Sequence, residues 1–600
     1  MAKVYNPVLQ VDGHRLYYSF LAGSRKILTN QADLNRINVF PVSDGDTGSN
    51  MAATVRSVYD TVHPHRSYKI TLERIAEAAL SNARGNSGII FAQFIYGLSN
   101  ETADHSSITL SQFIDSIRKS VRYVYDAIAN PVEGTMLTVI REWADYMHGQ
   151  RNSSLDFNQL MINSGKVLER TLEETKNQLA VLSKANVVDA GAKGFVLFIH
   201  GIIDFIRSNN IRHLLHSKSE GLLLPVREVH VQEQVEFRYC TEAILKHATL
   251  DGPALTEMIK RYGDSGVVAG SDTLKHLHLH TNEPARFFNE LRKFGSITFQ
   301  KADDMIRQSD AVYRRKWKIA LVTDSTCDLS DVLIDHYQIH MLPINIQFGE
   351  NHYLDKLTLQ TEQFYSLLDE GVDFPKTSQI NEKAFINLYS QLVSHYDSVI
   401  AVHLTGQFSG TFFNSQKAAK IVSSESGKTI SVINSKTLSG GLGLIMLRIA
   451  RAIEEDLPHD RIVGMTEEWI AKSKIFVSVK TLKYMVRGGR VSHFKGMIAR
   501  LLNINPIISM DEQGKSLVFG KAHSQKTNME KVLHHIRTLL TGQKVWNYVV
   551  LHANNPRAAQ WYEEQMKNLT GLDPVSVVEI SPVIGANAGI GAAAVAIMLN

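Results

Sequence analysis

The spacing of apolar residues changes twice along this 600-residue chain and divides it into three regions. From residue 1 to about 215 the period is helical, as in Leu72–Leu80 and Phe113–Ala129, with no strand-like run. A charged, low-glycine segment at Asn209–Glu220 leads into a short region with strand-like runs at Glu236–Cys240, Gly266–Ala269 and Leu277–Thr281. Beyond a basic connector at Asp310–Lys318, short β-branched runs alternate with helical stretches: Ile319–Val322, Ser398–His403, Thr429–Ile433, Ile475–Val479 and Tyr548–His552. Such alternation predicts a parallel α/β architecture. One hydrophobic core cannot organise a chain of this length. The expected fold class is therefore multidomain, with an all-α region at 1–215, a small α/β region at 216–315 and a larger α/β region at 316–600.

Composition excludes several function classes. The 64 basic and 60 acidic residues nearly cancel, so a net charge of +4 gives no electrostatic case for a nucleic-acid partner. Two cysteines, Cys240 and Cys327, argue against a disulfide framework and for a reducing, cytoplasmic compartment. The opening MAKVYNPVLQVDG lacks the basic-then-apolar order of a signal peptide. No run reaches the roughly 18 apolar residues of a membrane span, so at most peripheral membrane contact is expected.

The stretch Ile37–Met51, INVFPVSDGDTGSNM, carries the most chemistry. Asp44 and Asp46 flank one glycine, and two carboxylates that close need a cation if both are to stay ionised in a folded site. Mg2+ takes such oxygen ligands and keeps positions for water and phosphate. Gly45 and Gly48 let backbone N–H groups approach a polyphosphate, with Thr47, Ser49 and Asn50 beside them. The pattern reads as a metal–nucleotide site for phosphoryl transfer; a surface turn has the same composition.

Three further loops share this logic. Ala83–Gly97, ARGNSGIIFAQFIYG, puts Asn86, Ser87 and Gly88 where a helix N-terminus could hold phosphate or ribose oxygens. Pro131–Glu142 places Gly134 and Thr135 before a helix with Met136, Val139 and Ile140 on one face, and Val187–Phe195 gathers Asp189, Gly191, Lys193 and Gly194. Each string alone suits an ordinary helix cap.

Together the four strings resemble the DhaL (DAK2) nucleotide-binding domain of dihydroxyacetone kinases, in the version that opens fatty acid kinases of the FakA type. The resemblance covers about residues 1–215. It implies a barrel of eight antiparallel helices with Mg–ATP held in loops at one end. Asp44 and Asp46 would then ligate magnesium, Ser87 and its neighbours would meet phosphates, and Asp189 to Gly194 would line the nucleotide. Dihydroxyacetone kinases use a third aspartate ahead of this pair. This chain has Asn38 and Val39 there, so Asn38 would be a neutral ligand, which favours the fatty-acid-kinase branch.

In the middle region, Lys275–Thr281 reads KHLHLHT, and a strand would carry His276, His278 and His280 on one face. Imidazoles on one face with a thiolate nearby suit Zn2+; an exposed polar strand face is the alternative. The FakA-type middle domain has similar YCTE and HxHT strings at a metal site. The resemblance assigns Cys240, His278 and His280 to it, as zinc ligands or as participants in the chemistry, and leaves His276 without a counterpart.

From about Lys318 the chain resembles a DegV-family protein of the fatty-acid-binding FakB type. The residues that carry this are VTDSTCDL (Val322–Leu329), KTSQ (Lys376–Gln379), HLTGQFSGT (His403–Thr411), TLKYMVRGGRVS (Thr481–Ser492), LLNINPII (Leu501–Ile508) and PVIGANAGIGA (Pro582–Ala592). Such proteins enclose a long-chain fatty acid between two α/β subdomains. By position, Thr377 or Ser378, together with Ser409, would hold its carboxylate, and Gly410 would permit close backbone approach. DegV relatives typically carry a carboxylate-binding histidine and a Pro-Gly where this chain has Asn587 and Ile590-Gly591, so Asn587 is expected to supply a hydrogen bond instead.

The resemblances imply an ATP- and Mg2+-dependent fatty acid kinase fused to its acyl carrier, with Zn2+ as a further cofactor. An acyltransferase that consumes acyl phosphate and a second copy of the chain are the expected protein partners. The competing readings are a dihydroxyacetone-like (glycerone) kinase with a lipid-sensing domain, and a lipid-binding or docking protein without turnover.

Overall fold

The structure is a computed structural model, and it describes residues 7–40, 45–153, 155–208, 236–271, 273–370, 374–490 and 505–600. Asp44 and the Asn209–Glu220 segment lie outside the described residues. The chain forms two compact units, Met1–Glu283 with Lys293–Ile306, and Pro284–Arg292 with Arg307–Asn600.

The helical part of the first unit comprises α1 (Gly13–Thr29), α2 (Gln31–Arg36), α3 (Thr47–Thr61), α4 (Tyr68–Ser81), α5 (Gly85–Glu101), α6 (Leu110–Asp126), α7 (Met136–Gly149), α8 (Phe157–Gln178), α9 (Ala180–Ala185) and α10 (Ala190–Ser208). Capping boxes start α6 at Thr109/Gln112 and α8 at Asp156/Gln159. Helices α1, α4, α5, α6, α7, α8 and α10 pack in that order and return to α1, while α3 touches α1, α4, α5 and α10. Their shared core is aromatic and aliphatic, with Ile27, Val55, Ile75, Phe91, Ile114 and Phe195 fully buried. The expectation of no strand in this region is corrected by an antiparallel pair, β1 (Gln10–Asp12) with β2 (Ser107–Thr109). Three residues are too few to display a two-residue period.

The same unit contains an antiparallel sheet of β3 (Tyr239–Lys246), β4 (Gly263–Gly270), β5 (Leu274–Thr281) and β6 (Ser296–Asp304), ordered β4-β5-β3-β6. Its β4 edge joins the helices. Ala129 N–H donates to Gly266 O at 2.8 Å, Val268 N–H donates to Ala127 O at 2.7 Å, and Val267 and Ala269 enter the helical core.

Among the described residues, the second unit holds three sheets built from β7 (Ile319–Asp324), β8 (His340–Leu342), β9 (Asn345–Phe348), β10 (Asn351–Leu354), β11 (Lys376–Ser378), β12 (Ser398–His403), β13 (Thr429–Asn434), β14 (Ser473–Ser478), β15 (Asn505–Met510), β16 (Ser516–Ala522), β17 (Val545–His552), β18 (Ser576–Glu579) and β19 (Ala593–Leu599). The sheet β13-β12-β7-β8 is parallel throughout, as the alternation predicts. The six-stranded sheet β16-β15-β14-β19-β17-β18 corrects that expectation: only β17 and β18 run parallel. The central strand β19, AAVAIML, is buried at every position, and such an apolar run reads the same in either direction. Among the described residues, no helix is long and apolar enough to cross a membrane.

Candidate nucleotide and metal site, with an apolar cavity

Four helix starts converge in the first unit. Asp46 precedes α3, and its carboxylate does not cap that helix. Thr47 Oγ donates to Asn38 Oδ1 at 2.8 Å, and Ser49 Oγ accepts from Gln31 and Asn35 at 3.1 and 2.9 Å. Asn38 is thus engaged in bracing the start of α3, while Gly48 and Asn50 are buried beside it. At α5, the Asn86 Oδ1 is buried with no hydrogen-bond partner among the described residues. A Cβ added to Gly191 would sit 2.8 Å from Ser87 Oγ, 3.1 Å from Met136 Cε and 3.3 Å from Asp189 Oδ1, so the starts of α5, α7 and α10 meet at this glycine. Gly88 packs on Thr54, and Gly194 on Met51.

Asp189 is buried and accepts the Ala192 N–H at 2.7 Å. Burial pushes its pKa up to about 6, against the Ala192 and Met136 amides that favour the ionised form. Thr135 has the humbler geometry of a helix cap, accepting from Leu137 N–H at 3.3 Å, and Gly134 packs against Gln178 and Leu179.

The sheet supplies a second cluster on one face. Register sets Cys240 opposite His280 and Glu242 opposite His278 on β5, and Asp303 and Lys301 opposite the same two residues on β6. Ligand atoms of Cys240, His278 and His280 lie within 4.8 Å of one another, and all three residues are buried. Among the described residues, both His278 ring nitrogens lack a hydrogen-bond partner, as does His276 Nε2. Burial, with His280 and Lys301 adding to it, holds the His278 pKa well below the usual range, and burial alone pushes His276 down to about 4. Neutral imidazoles are the form that ligates metal, and buried orphan nitrogens need a partner. The thiol is pushed well up by burial, opposed by Lys301 and reinforced by Glu242, Asp303 and Asp46; a bound metal would reverse that. These residues fit Zn2+. His276 sits one register step away, opposite Ile244 and Ala269, and is outside the cluster.

The two clusters adjoin. Gly85 N–H, the first of α5, donates to Glu242 Oε1 at 3.0 Å. Burial opposes the charge on Lys301, yet Asp303 (2.6 Å), Glu242 (3.7 Å), Cys240 and Asp46 together hold its pKa well above the usual value. The arrangement puts an ammonium, a thiol, two imidazoles and the Asp46 carboxylate beside a glycine loop, a set suited to charge neutralisation during group transfer. Sequence reading missed Glu242, Lys301 and Asp303. Glu242 was within reach, two residues after Cys240 and so on the same strand face.

In the second unit, Thr377, Ser378, Ser409, Gly410 and Asn587 all line a cavity of about 410 Å³. Its other walls are mostly apolar, including Leu404, Phe408, Ile475, Val477, Leu551 and Ile584. Ser409 Oγ pairs with Thr411 Oγ at 2.9 Å at the start of the helix Thr411–Ser426. Asn587 Nδ2 donates to Val583 O at 3.1 Å, and its Oδ1 is buried without a hydrogen-bond partner among the described residues. Arg490 and His552 also line the cavity, and Arg490 Nη2 donates to Thr377 Oγ at 3.3 Å. Arg490 lies inside the VRGGR string but carried no signal for this role by itself.

Three family models match the chain: the DAK2 domain at residues 41–204, the FakA-like middle domain of fatty acid kinases at 236–312, and the DegV family at 318–600. An uncharacterized protein of Staphylococcus saprophyticus is 31% identical over 320 residues, covering 52% of this chain and 58% of that protein. The match thus spans little more than half the length of that curated relative. One from Staphylococcus aureus is 25% identical over 484 residues, covering 78% of this chain and 87% of that one. Among solved structures, a fatty-acid-binding DegV-family protein from Thermus thermophilus is 25% identical with a TM-score of 0.44, covering 47% of this chain and 100% of its own. The fatty acid binding DegV of Bacillus subtilis gives 26%, 0.44, 48% and 100% for the same four measures.

Proposed function

We propose, for a chain that carries a DAK2 domain, a FakA-like middle domain and a DegV-family region in one polypeptide, that it is an ATP-dependent fatty acid kinase with its own acyl-binding region. The reaction joins a fatty carboxylate oxygen to the γ-phosphorus and releases ADP, leaving an acyl phosphate. The observation that carries this reading is the convergence of Asp46, the Gly85–Gly88 loop and the Cys240/His278/His280 cluster in one site.

Asp46, with Asp44, would hold Mg2+. Asn38, Thr47, Gly48, Ser49 and Asn50 would shape that end of the site. Asn86, Ser87, Gly88, Gly134, Thr135, Asp189, Gly191 and Gly194 would line the nucleotide. The ring of neighbouring helices supports the eight-helix barrel form for this domain. Cys240, His278 and His280 would hold Zn2+. Bound Mg2+ neutralises the phosphates, and Zn2+ adds a Lewis acid. Lys301 supplies a fixed positive charge near the transferring group.

The cavity would take the acyl tail, each buried methylene contributing about 0.8 kcal/mol. Hydroxyls of Thr377, Ser378 and Ser409, the Gly410 backbone, Asn587 and Arg490 would replace water at the carboxylate. The domain limits 1–215, 216–315 and 316–600, the cytoplasmic location, a homodimer and an acyltransferase as the consumer of the product belong to the same reading.

Mass spectrometry of lipid extracted from the purified protein, with phosphate-transfer assays on fatty acid and on dihydroxyacetone, tests the reading. A long-chain fatty acid and selective transfer to it are expected; transfer to dihydroxyacetone alone would overturn it.

A further inference from the structure

Helix α5 begins at Gly85 without help from its own sequence, because Arg84 at the N-cap makes no side-chain hydrogen bond to it. The first N–H of the helix is instead taken by Glu242, a buried carboxylate 157 residues away in the middle of β3. Gly85 is held from its other side as well: a Cβ there would collide with the Asn50 amide of α3, and its backbone has φ +56°, which a larger residue adopts only with strain. Glu242 also faces Lys301 at 3.7 Å and His278 at 4.0 Å. A carboxylate this buried is costly unless its oxygens are satisfied, so its partners fix its position closely. Asn86, Ser87 and Gly88 complete the same first turn.

We infer that Glu242 is a positioning residue that caps α5 from the sheet and sets the Gly85–Gly88 loop against the Cys240/His278/His280 cluster. The inference rests on the kinase reading for its consequence, which is nucleotide affinity, but the anchor itself is independent of turnover.

The test uses the full chain as wild type, Glu242→Ala and Glu242→Gln. Hydrogen–deuterium exchange is read for the peptide around Gly85–Phe91, ADP affinity by calorimetry and zinc by elemental analysis. Alanine removes the acceptor. It should speed exchange in that peptide and weaken ADP binding by about tenfold, the size of a lost helix cap. Glutamine keeps an oxygen in the same place and should restore both to within about threefold of wild type, with zinc content equal in all three proteins. Unchanged exchange and affinity in Glu242→Ala would overturn the inference. So would a glutamine variant that fails like alanine with its zinc lost, since Glu242 would then serve the metal cluster. If the wild type binds no ADP, the kinase reading fails, and the exchange difference still decides the anchor.

Discussion

Arg490 donates a hydrogen bond to Thr377 Oγ at 3.3 Å, joining two segments 113 residues apart at the wall of the apolar cavity. A guanidinium there would meet a fatty carboxylate with fixed planar donors. Arg490→Ala should weaken fatty acid binding by about 1.5–3 kcal/mol, the range for hydrogen bonds to charged groups. Arg490→Lys should recover only part of it. Displacement of a fluorescent fatty acid measures both; wild-type affinity in the alanine variant would remove Arg490 from the head-group site.

Asn587 lines the same cavity with one amide N–H spent on Val583 O and an Oδ1 that has no hydrogen-bond partner among the described residues. Asn587→Asp would put a second negative charge beside a fatty carboxylate bound there and should reduce affinity at least tenfold at pH 8. Asn587→Ala should cost about 1–3 kcal/mol. Equal binding by all three proteins would detach this loop from the head group.

Cys240, His278 and His280 should hold about one zinc per purified chain, by elemental analysis. Cys240→Ala should lower that content sharply while leaving lipid in the second unit. A metal-free wild type after gentle purification contradicts the zinc assignment.

Asp355 gives a pH dependence. It is fully buried, accepting from Ser325 Oγ at 2.6 Å and Val583 N–H at 3.1 Å. Burial pushes its pKa from 3.8 to about 7, against those hydrogen bonds and Lys356. With the folded value raised, its contribution to stability is present below pH 3.8 and fades as pH climbs through 7. Asp355→Asn mimics the protonated form, so its melting temperature should gain on wild type between pH 5 and pH 8. A difference that stays constant over that range would show that Asp355 ionises normally.

The site was legible where chemistry coincides with local period. Two histidines spaced by two on a strand must share a face, and Cys240 falls opposite His280 by register. The capping role of Glu242 was not legible, because its partner Gly85 is 157 residues distant and nothing local marks a buried carboxylate as a helix cap. For the same reason the metal–nucleotide strings and the histidine strand read as separate constellations, although Asp46 acts on Cys240 through space. In the second unit the parallel sheet around β7 and β12 followed from strand–helix alternation. The direction of β19 did not, since a strand buried on both faces carries no polar mark of its neighbours.

The most direct measurement incubates the full chain with ATP, Mg2+ and long-chain fatty acid in the presence of hydroxylamine, which traps acyl phosphate as a hydroxamate. Wild type should form acyl hydroxamate in proportion to ATP consumed. Asp46→Asn, lacking one anionic ligand for magnesium, should form none while still yielding fatty acid on extraction. Hydroxamate at the wild-type rate from Asp46→Asn, or none from a wild type that carries fatty acid, would contradict a fatty acid kinase built around Asp46.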